Sequence, residues 1–150
     1  MDSRVPEVIE TLVGLGAADP DLKDVTVTDG PQVTDSGAPD WLIVGFDGDP
    51  NGDFEAAQSL ADFAGLGTRR EEQFQVTVAA ISNRGDTDIV AARKRAYEIG
   101  SRVVAWLRAS PHLGLAELEA GIAATRLVQA QTGQGAQAVL LLTVAGRGFI

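Results

Sequence analysis

The stretch REEQFQVTVAAISNRGDTDIVAARKRAYEIGSRVVAWLRA, residues 70–109, decides the fold. Apolar and polar side chains alternate between Gln73 and Ser82, which is the pattern of a half-buried strand. Asn83–Asp86 then supplies the polar residues of a tight turn. Asp86 is placed to cap the helix that follows, and Asp88 adds favourable charge near the positive end of the helix dipole. We therefore predict a strand, a turn and a long helix that ends at Ala109.

One face of this helix is predicted to pack on a sheet. Its apolar residues recur at steps of three and four, as a core-facing stripe requires: Ile89, Ala92, Ala96, Ile99, Val103 and Leu107. Pro111 prevents the helix from continuing. Arg93–Arg95 is a basic cluster, which we interpret either as a solvated face or as a contact for an acidic patch on another subunit.

Composition limits the classes of protein that fit. The chain has 150 residues, which predicts a single domain spanning 1–150. Its formal net charge of -9 argues against sequence-specific DNA binding, which needs cations to neutralise phosphates. Cysteine is absent, so disulfides and thiolate metal sites are excluded. No apolar run approaches the roughly 20 residues that a bilayer requires, and Met1–Arg4 does not begin a secretion signal, so we expect synthesis in the cytoplasm and no membrane partner.

The remaining elements are short and lie on both sides of the central stretch. We predict a helix at Val5–Leu15, strands at Val25–Thr28 and Trp41–Phe46, and a hairpin of two strands at Gly121–Thr132 and Ala136–Ala145, with the tail Gly146–Ile150 outside it. Hairpin-connected strands with helices to one side predict an α+β fold: a mainly antiparallel sheet packed against one long helix and a short N-terminal helix.

An irregular insertion is predicted at about residues 47–68. Within it, five apolar residues could share one face of a short helix: Phe54, Ala57, Leu60, Ala61 and Ala64. Gly65 and Gly67 follow at once, however, and glycine favours loops over helix interiors.

The start of the insertion, DGDPNGD, has the pattern of a calcium-binding loop. Asp47, Asp49, Asn51 and Asp53 alternate along it, and an EF-hand loop begins with such oxygen ligands and a glycine that allows a sharp bend. The twelfth position, where a bidentate glutamate is needed, is Gln58, and the preceding segment is a predicted strand instead of a helix. The pattern fits a solvated acidic loop better, and we predict no metal, cofactor or catalytic site.

His112 is the one histidine, and it lies in a predicted loop between the long helix and the hairpin. A lone histidine without cysteine does not make a zinc cluster of the usual composition. A serine nucleophile would need to be held in place, and no Gly-x-Ser-x-Gly elbow is present to hold one. We therefore expect an exposed loop histidine and no enzyme activity.

Several segments, in their order and spacing, resemble one family over nearly the whole chain. They are Trp41–Asp49 (WLIVGFDGD), Gly65–Arg69 (GLGTR), Glu72–Val76 (EQFQV), Gly85–Val90 (GDTDIV), Ala92–Tyr97 (ARKRAY), Leu107–Leu113 (LRASPHL) and the closing strand Gly135–Ile150. In these the chain is similar to the tail terminator proteins, also called tail completion proteins, of long-tailed phages of actinobacterial hosts.

The resemblance implies structural work in the virion. Members of the family form a ring, usually a homohexamer, that caps the tail tube, ends tail polymerisation and joins the tail to a head-side connector protein. The implied partners are copies of the chain itself, the tail tube protein and the connector, with DNA passing through the lumen without sequence-specific binding. The family's fold, a sheet flanked by helices, agrees with the predicted one, and it has no catalytic residue to carry over.

Three other classes stay open. A neighbouring head-to-tail connector, such as a stopper or an adaptor, also forms a ring. A small calcium-binding module would use Asp47–Asp53. An enzyme is the least supported class, because no nucleophile, base and orienting residue stand in a recognisable arrangement. Within the leading class, we expect the insertion and the acidic face to contact neighbouring subunits or the tube.

Overall fold

The computed structural model of the chain describes residues 3–31, 38–63, 67, 69–133 and 135–150. It contains two helices, a one-turn 3-10 helix at Pro20–Leu22 and six strands. In chain order the elements are α1 Val5–Ala18, β1 Thr26–Asp29, β2 Asp40–Val44, β3 Ala57–Phe63, β4 Arg70–Arg84, α2 Ile89–Ala109, β5 Leu118–Thr132 and β6 Gly135–Phe149.

The six strands form one sheet in the order β1-β2-β4-β6-β5, with β3 also paired to β4. β1 and β2 are parallel, and every other pair is antiparallel. The predicted α+β fold is confirmed: the sheet is mostly antiparallel, with one long helix and one short N-terminal helix.

β4 is the central strand of the sheet, and its alternating side chains contribute to the core on one face. Phe74, Val76, Val78 and Ala80 are buried on the face that also receives the buried residues of both helices. A second, smaller cluster lies on the opposite face, where Ile43, Ala79, Ile81 and Val139 pack together with Phe46. β4 is longer than the predicted Gln73–Ser82, because β6 pairs with it continuously from Glu71 to Arg84.

α2 follows the predicted stripe. The residues buried on it are Ala92, Ala96, Ile99, Gly100, Val103 and Leu107. The expected cap was wrong: Asp88, and not Asp86, accepts the hydrogen bond from a first-turn amide, that of Ala91, at 3.0 Å. The carboxylate of Asp86 instead accepts from the amide of Asp88 and shapes the turn before the helix.

The possible short helix on Phe54, Ala57, Leu60, Ala61 and Ala64 is wrong where the chain is described, because residues 57–63 form strand β3; Ala64 lies outside the described residues. β2 and β3 lie end to end along one edge of β4: β2 pairs with Val78–Ser82, and β3 pairs with Arg70–Val76. Thr77 joins the two, since its carbonyl accepts from Gly45 and its amide donates to Ala56. Residues 45–56 therefore form a loop between β2 and β3, here called the excursion. The predicted insertion contains most of this loop and then strand β3.

The tail Gly146–Ile150 is not left outside the hairpin, as the sequence suggested, because β6 continues to Phe149. The N-terminal half of β4 offers backbone partners for this extension, including the pairs Phe74 with Gly146 and Glu71 with Phe149. Gly146 suits its place, since a Cβ there would lie 2.3 Å from the carbonyl oxygen of Glu119.

Candidate functional site

The candidate calcium loop uses its side chains to hold its own backbone. An Oδ1 atom of Asp47, Asp49 and Asp53 accepts from the amide two residues ahead, at 2.8, 2.9 and 3.1 Å respectively. These are Asx turns, the usual role of aspartate in tight loops. The loop forms most of the excursion between β2 and β3.

The twelfth position of the calcium pattern, Gln58, lies in β3, and its side-chain amide donates to Glu55 at 2.7 Å. Within the ranges that the structure describes, no group of three or more His, Cys, Asp or Glu residues is arranged to hold a metal ion. The geometry gives the calcium hypothesis no added support.

His112 is exposed, as expected, and its Nδ1 atom lies 2.8 Å from the carbonyl oxygen of Leu118. The ring borders a hollow of about 360 Å³ that is also lined by Glu71, Glu117 and Arg147. Nδ1 therefore contacts a backbone carbonyl. Among the described residues, no serine or threonine hydroxyl forms a hydrogen bond with the His112 ring. A nucleophile and a base are not brought together here.

The buried carboxylates of the described residues are those of Asp19, Asp40 and Glu72, and each has structural hydrogen bonds. Glu72 accepts from the hydroxyl of Ser3 and the amide of Arg4, both at 2.6 Å, and so holds the start of α1. Asp40 accepts from Ser82 at 2.7 Å and lies 3.4 Å from Nε of Arg95.

Asp19 joins the end of α1 to α2. Its Oδ2 atom accepts from Nε of Arg102 and from Nε1 of Trp106, both at 2.8 Å, and its Oδ1 accepts from the amide of Asp21. Burial by itself raises the pKa of Asp19, but the hydrogen bonds from Arg102, Asp21 and Trp106 outweigh it, so the pKa lies below the ordinary value. A carboxylate held ionised in this way stabilises the fold and is not a proton donor near neutral pH.

The Arg93–Arg95 cluster is divided by the structure. Arg95 turns toward Asp40 and Glu98, with the Glu98 contact at 3.1 Å. Arg93 turns the other way and donates to the side chain of Gln129 on β5 at 3.0 Å. Lys94 is exposed between them. The three cations therefore do not form one patch, and Arg93 and Lys94 belong to the side of α2 that faces β5.

A groove runs between α2 and β5. Two adjacent hollows of about 610 and 690 Å³ share Tyr97 and Ser101 and form it. Its apolar lining includes Val104, Leu127, Leu140 and Leu142. Three cations also line it, Arg93, Lys94 and Arg108, while its one acidic residue, Glu98, is paired with Arg95. We call this surface the basic groove.

The opposite edge of the sheet, along β3, is acidic. Asp49, Asp53, Glu55 and Asp62 are exposed on the excursion and on β3, and none of the ion pairs in the described part of the chain involves them. Three large apolar side chains are exposed among them: Phe54 at 49%, Leu60 at 70% and Phe63 at 65%. We call this surface the acidic edge.

The strands beside both surfaces lie at the edges of the sheet. Among the described residues, β5 pairs with no strand other than β6, and β3 pairs with none other than β4. The start of β5 is covered, because the amide of Ala120 donates to the carbonyl of Pro111 and the carbonyl of Leu118 contacts His112. Free edges present rows of backbone donors and acceptors that another chain can pair with. The sequence pointed to one part of each surface, the insertion and the Arg93–Arg95 cluster. It did not predict the groove with β5 or the strand β3, because these elements are brought together only in the folded sheet.

The chain matches no known protein-family profile, and no curated protein shows significant similarity to it. Among the described helices, none combines the length and the apolar character needed to cross a membrane.

Proposed function

We propose that the protein is a structural virion protein of a long-tailed phage, a tail terminator that forms a ring, in the proposed form a hexamer, on the tail tube. In this role it ends tail polymerisation and joins the tail to the head-side connector protein. It acts at the head-proximal end of the tail after synthesis in the host cytoplasm, and it needs no catalytic residue or cofactor.

The observation that carries the proposal is a pair of surfaces of opposite charge, the basic groove and the acidic edge, at opposite edges of one sheet. A closed ring requires head-to-tail contacts, so each subunit must expose two different and complementary surfaces. The basic groove beside β5 and the acidic edge along β3 meet this requirement, since β4 and β6 lie between them. The sequence resemblance described above supports the same class of assembly.

The net charge of the chain also supports the proposal. A ring through which duplex DNA passes should not bind phosphates strongly, because such binding releases counterions and holds the DNA in place. With a formal net charge of -9, the chain lacks the excess of cations that this attraction needs.

Tail-tube polymerisation in the presence and absence of the protein tests this function. Under negative-stain electron microscopy, we expect the protein at one end of each tube and an arrest of tube growth. Binding to isolated head-side connectors without any effect on tubes would instead favour a stopper or adaptor. A thermal shift with added calcium but no tube binding would favour the calcium-binding alternative, since a ligand of the native state raises apparent stability.

A further inference from the structure

We infer that the acidic edge of one subunit docks into the basic groove of the next, so that this pair of surfaces forms the repeated contact of the ring. The inference rests on the proposed function, because it takes a second copy of this chain as the occupant of the groove.

Charge complementarity is the first argument. The groove presents Arg93, Lys94 and Arg108, which have no carboxylate partner within the described residues. The acidic edge presents Asp49, Asp53, Glu55 and Asp62, whose carboxylates are exposed and take part in none of the ion pairs among the described residues. Complementary charges of this kind set the register and select the partner at an interface.

Apolar complementarity is the second argument. Leu60 and Phe63 are largely exposed on β3, although the guanidinium of Arg70 lies 5.3 Å from the centre of the Phe63 ring. Exposed apolar side chains inside a polar rim mark interaction sites. The groove offers apolar walls from Val104 and Leu127 and has Tyr97, which is 47% exposed, at its centre. Aromatic and aliphatic anchors in such pockets supply most of the binding energy of an interface.

The topology makes the contact repeatable. The acidic edge lies on the β3 side of β4, and the basic groove lies beyond β6 at β5. A copy that offers its acidic edge to one neighbour still has its groove free for another, which is the condition for a ring or a filament.

Two charge-reversal variants test the contact. The first, Lys94→Glu/Arg108→Glu, reverses the groove, and the second, Glu55→Lys/Asp62→Lys, reverses the edge; all four side chains are exposed. Each variant alone should lose about tenfold or more in self-association, since like charges then face each other. An equimolar mixture should recover assembly, because every contact in an alternating ring then joins opposite charges.

The matched control for the groove variant is Lys23→Glu/Arg126→Glu, which makes the same change in net charge as that variant but outside both surfaces. Lys23 is exposed after the 3-10 turn, and Arg126 pairs with Leu141 in register, which places it on the face of the sheet away from the helices. This control should assemble like the wild type. Circular dichroism and thermal melting of every variant establish that the chains are folded.

Native mass spectrometry, with and without tail tubes, separates the outcomes. Loss in each folded variant and recovery in the mixture support the contact. Wild-type-like assembly of either variant, or no recovery in the mixture, overturns this inference and leaves the proposed ring intact. A wild-type chain that stays monomeric under every condition, tubes included, overturns both.

Discussion

Among single residues, Asp19 connects three parts of the fold: the end of α1, the 3-10 turn and α2. The folded-state pKa of Asp19 lies below its ordinary value of 3.8, so the unfolded chain binds the proton more readily. The stability that this carboxylate contributes is therefore present above about pH 4 and is lost as pH falls through the lower folded-state pKa.

We predict that Asp19→Asn lowers the free energy of unfolding by about 2 kcal/mol at neutral pH, because hydrogen bonds to a buried charge are weakened. The difference from the wild type should shrink below about pH 4. Urea unfolding across this pH range measures it. Asp21→Asn is the control, because Asp21 is exposed and its contact with Arg102 is 3.4 Å long; a constant difference between wild type and Asp19→Asn at all pH values would contradict the assignment.

Gly146 is a second residue with a testable role. A Cβ at this position would lie 2.3 Å from the carbonyl oxygen of Glu119 and 2.5 Å from the ring of Phe74. Gly146→Ala should therefore destabilise the fold by about 1–3 kcal/mol through overpacking. Gly121→Ala should have little effect in the same thermal melts, because a Cβ at Gly121 would meet no atom within 4 Å beyond its chain neighbours. Equal stability of the two variants would show that β6 does not pack as described.

At the scale of elements, the start of α2 depends on which aspartate caps it. The carboxylate of Asp88 accepts from Ala91, and that of Asp86 only shapes the preceding turn. Asp88→Ala should cost about 1 kcal/mol, the usual loss of an N-cap, and Asp86→Ala should cost less. Urea denaturation of both variants checks the order, and the reverse order would return the cap to Asp86.

The elements with strong local patterns were predictable, and those decided by distant partners were not. β4 and α2 follow from the alternation near Phe74 and the steps of three and four after Ile89. β3 was not predicted, because its large apolar residues Leu60 and Phe63 are exposed and no buried alternation marks it. Residues 57–63 form a strand because they pair with residues 70–76 of β4.

The same distinction holds for the candidate surfaces. The sequence shows the basic cluster Arg93–Arg95, but the turn of Arg95 toward Asp40 depends on a residue from β2. The groove joins α2 to Leu127 of β5, and the acidic edge joins the excursion to β3. Contacts between segments so far apart in the chain have no local signal, because they arise from the order of strands in the sheet.

At the scale of the whole molecule, an interface built on opposite charges should respond to salt. Screening shortens the reach of exposed charges to about 3 Å at 1 M ionic strength, while apolar contacts persist. We predict that self-association weakens several-fold between about 0.1 M and about 1 M salt. Sedimentation velocity measures this, with sodium chloride as the screening salt, and association that strengthens steadily with salt would indicate a contact that is mainly apolar.

In the proposed function, copies of this chain close into a ring that caps a tail tube. Native mass spectrometry of the purified protein, alone and then mixed with assembled tail tubes, tests it most directly. We expect a closed six-fold particle, either free or formed when tubes are added. A strict monomer that ignores the tubes at every concentration would contradict it.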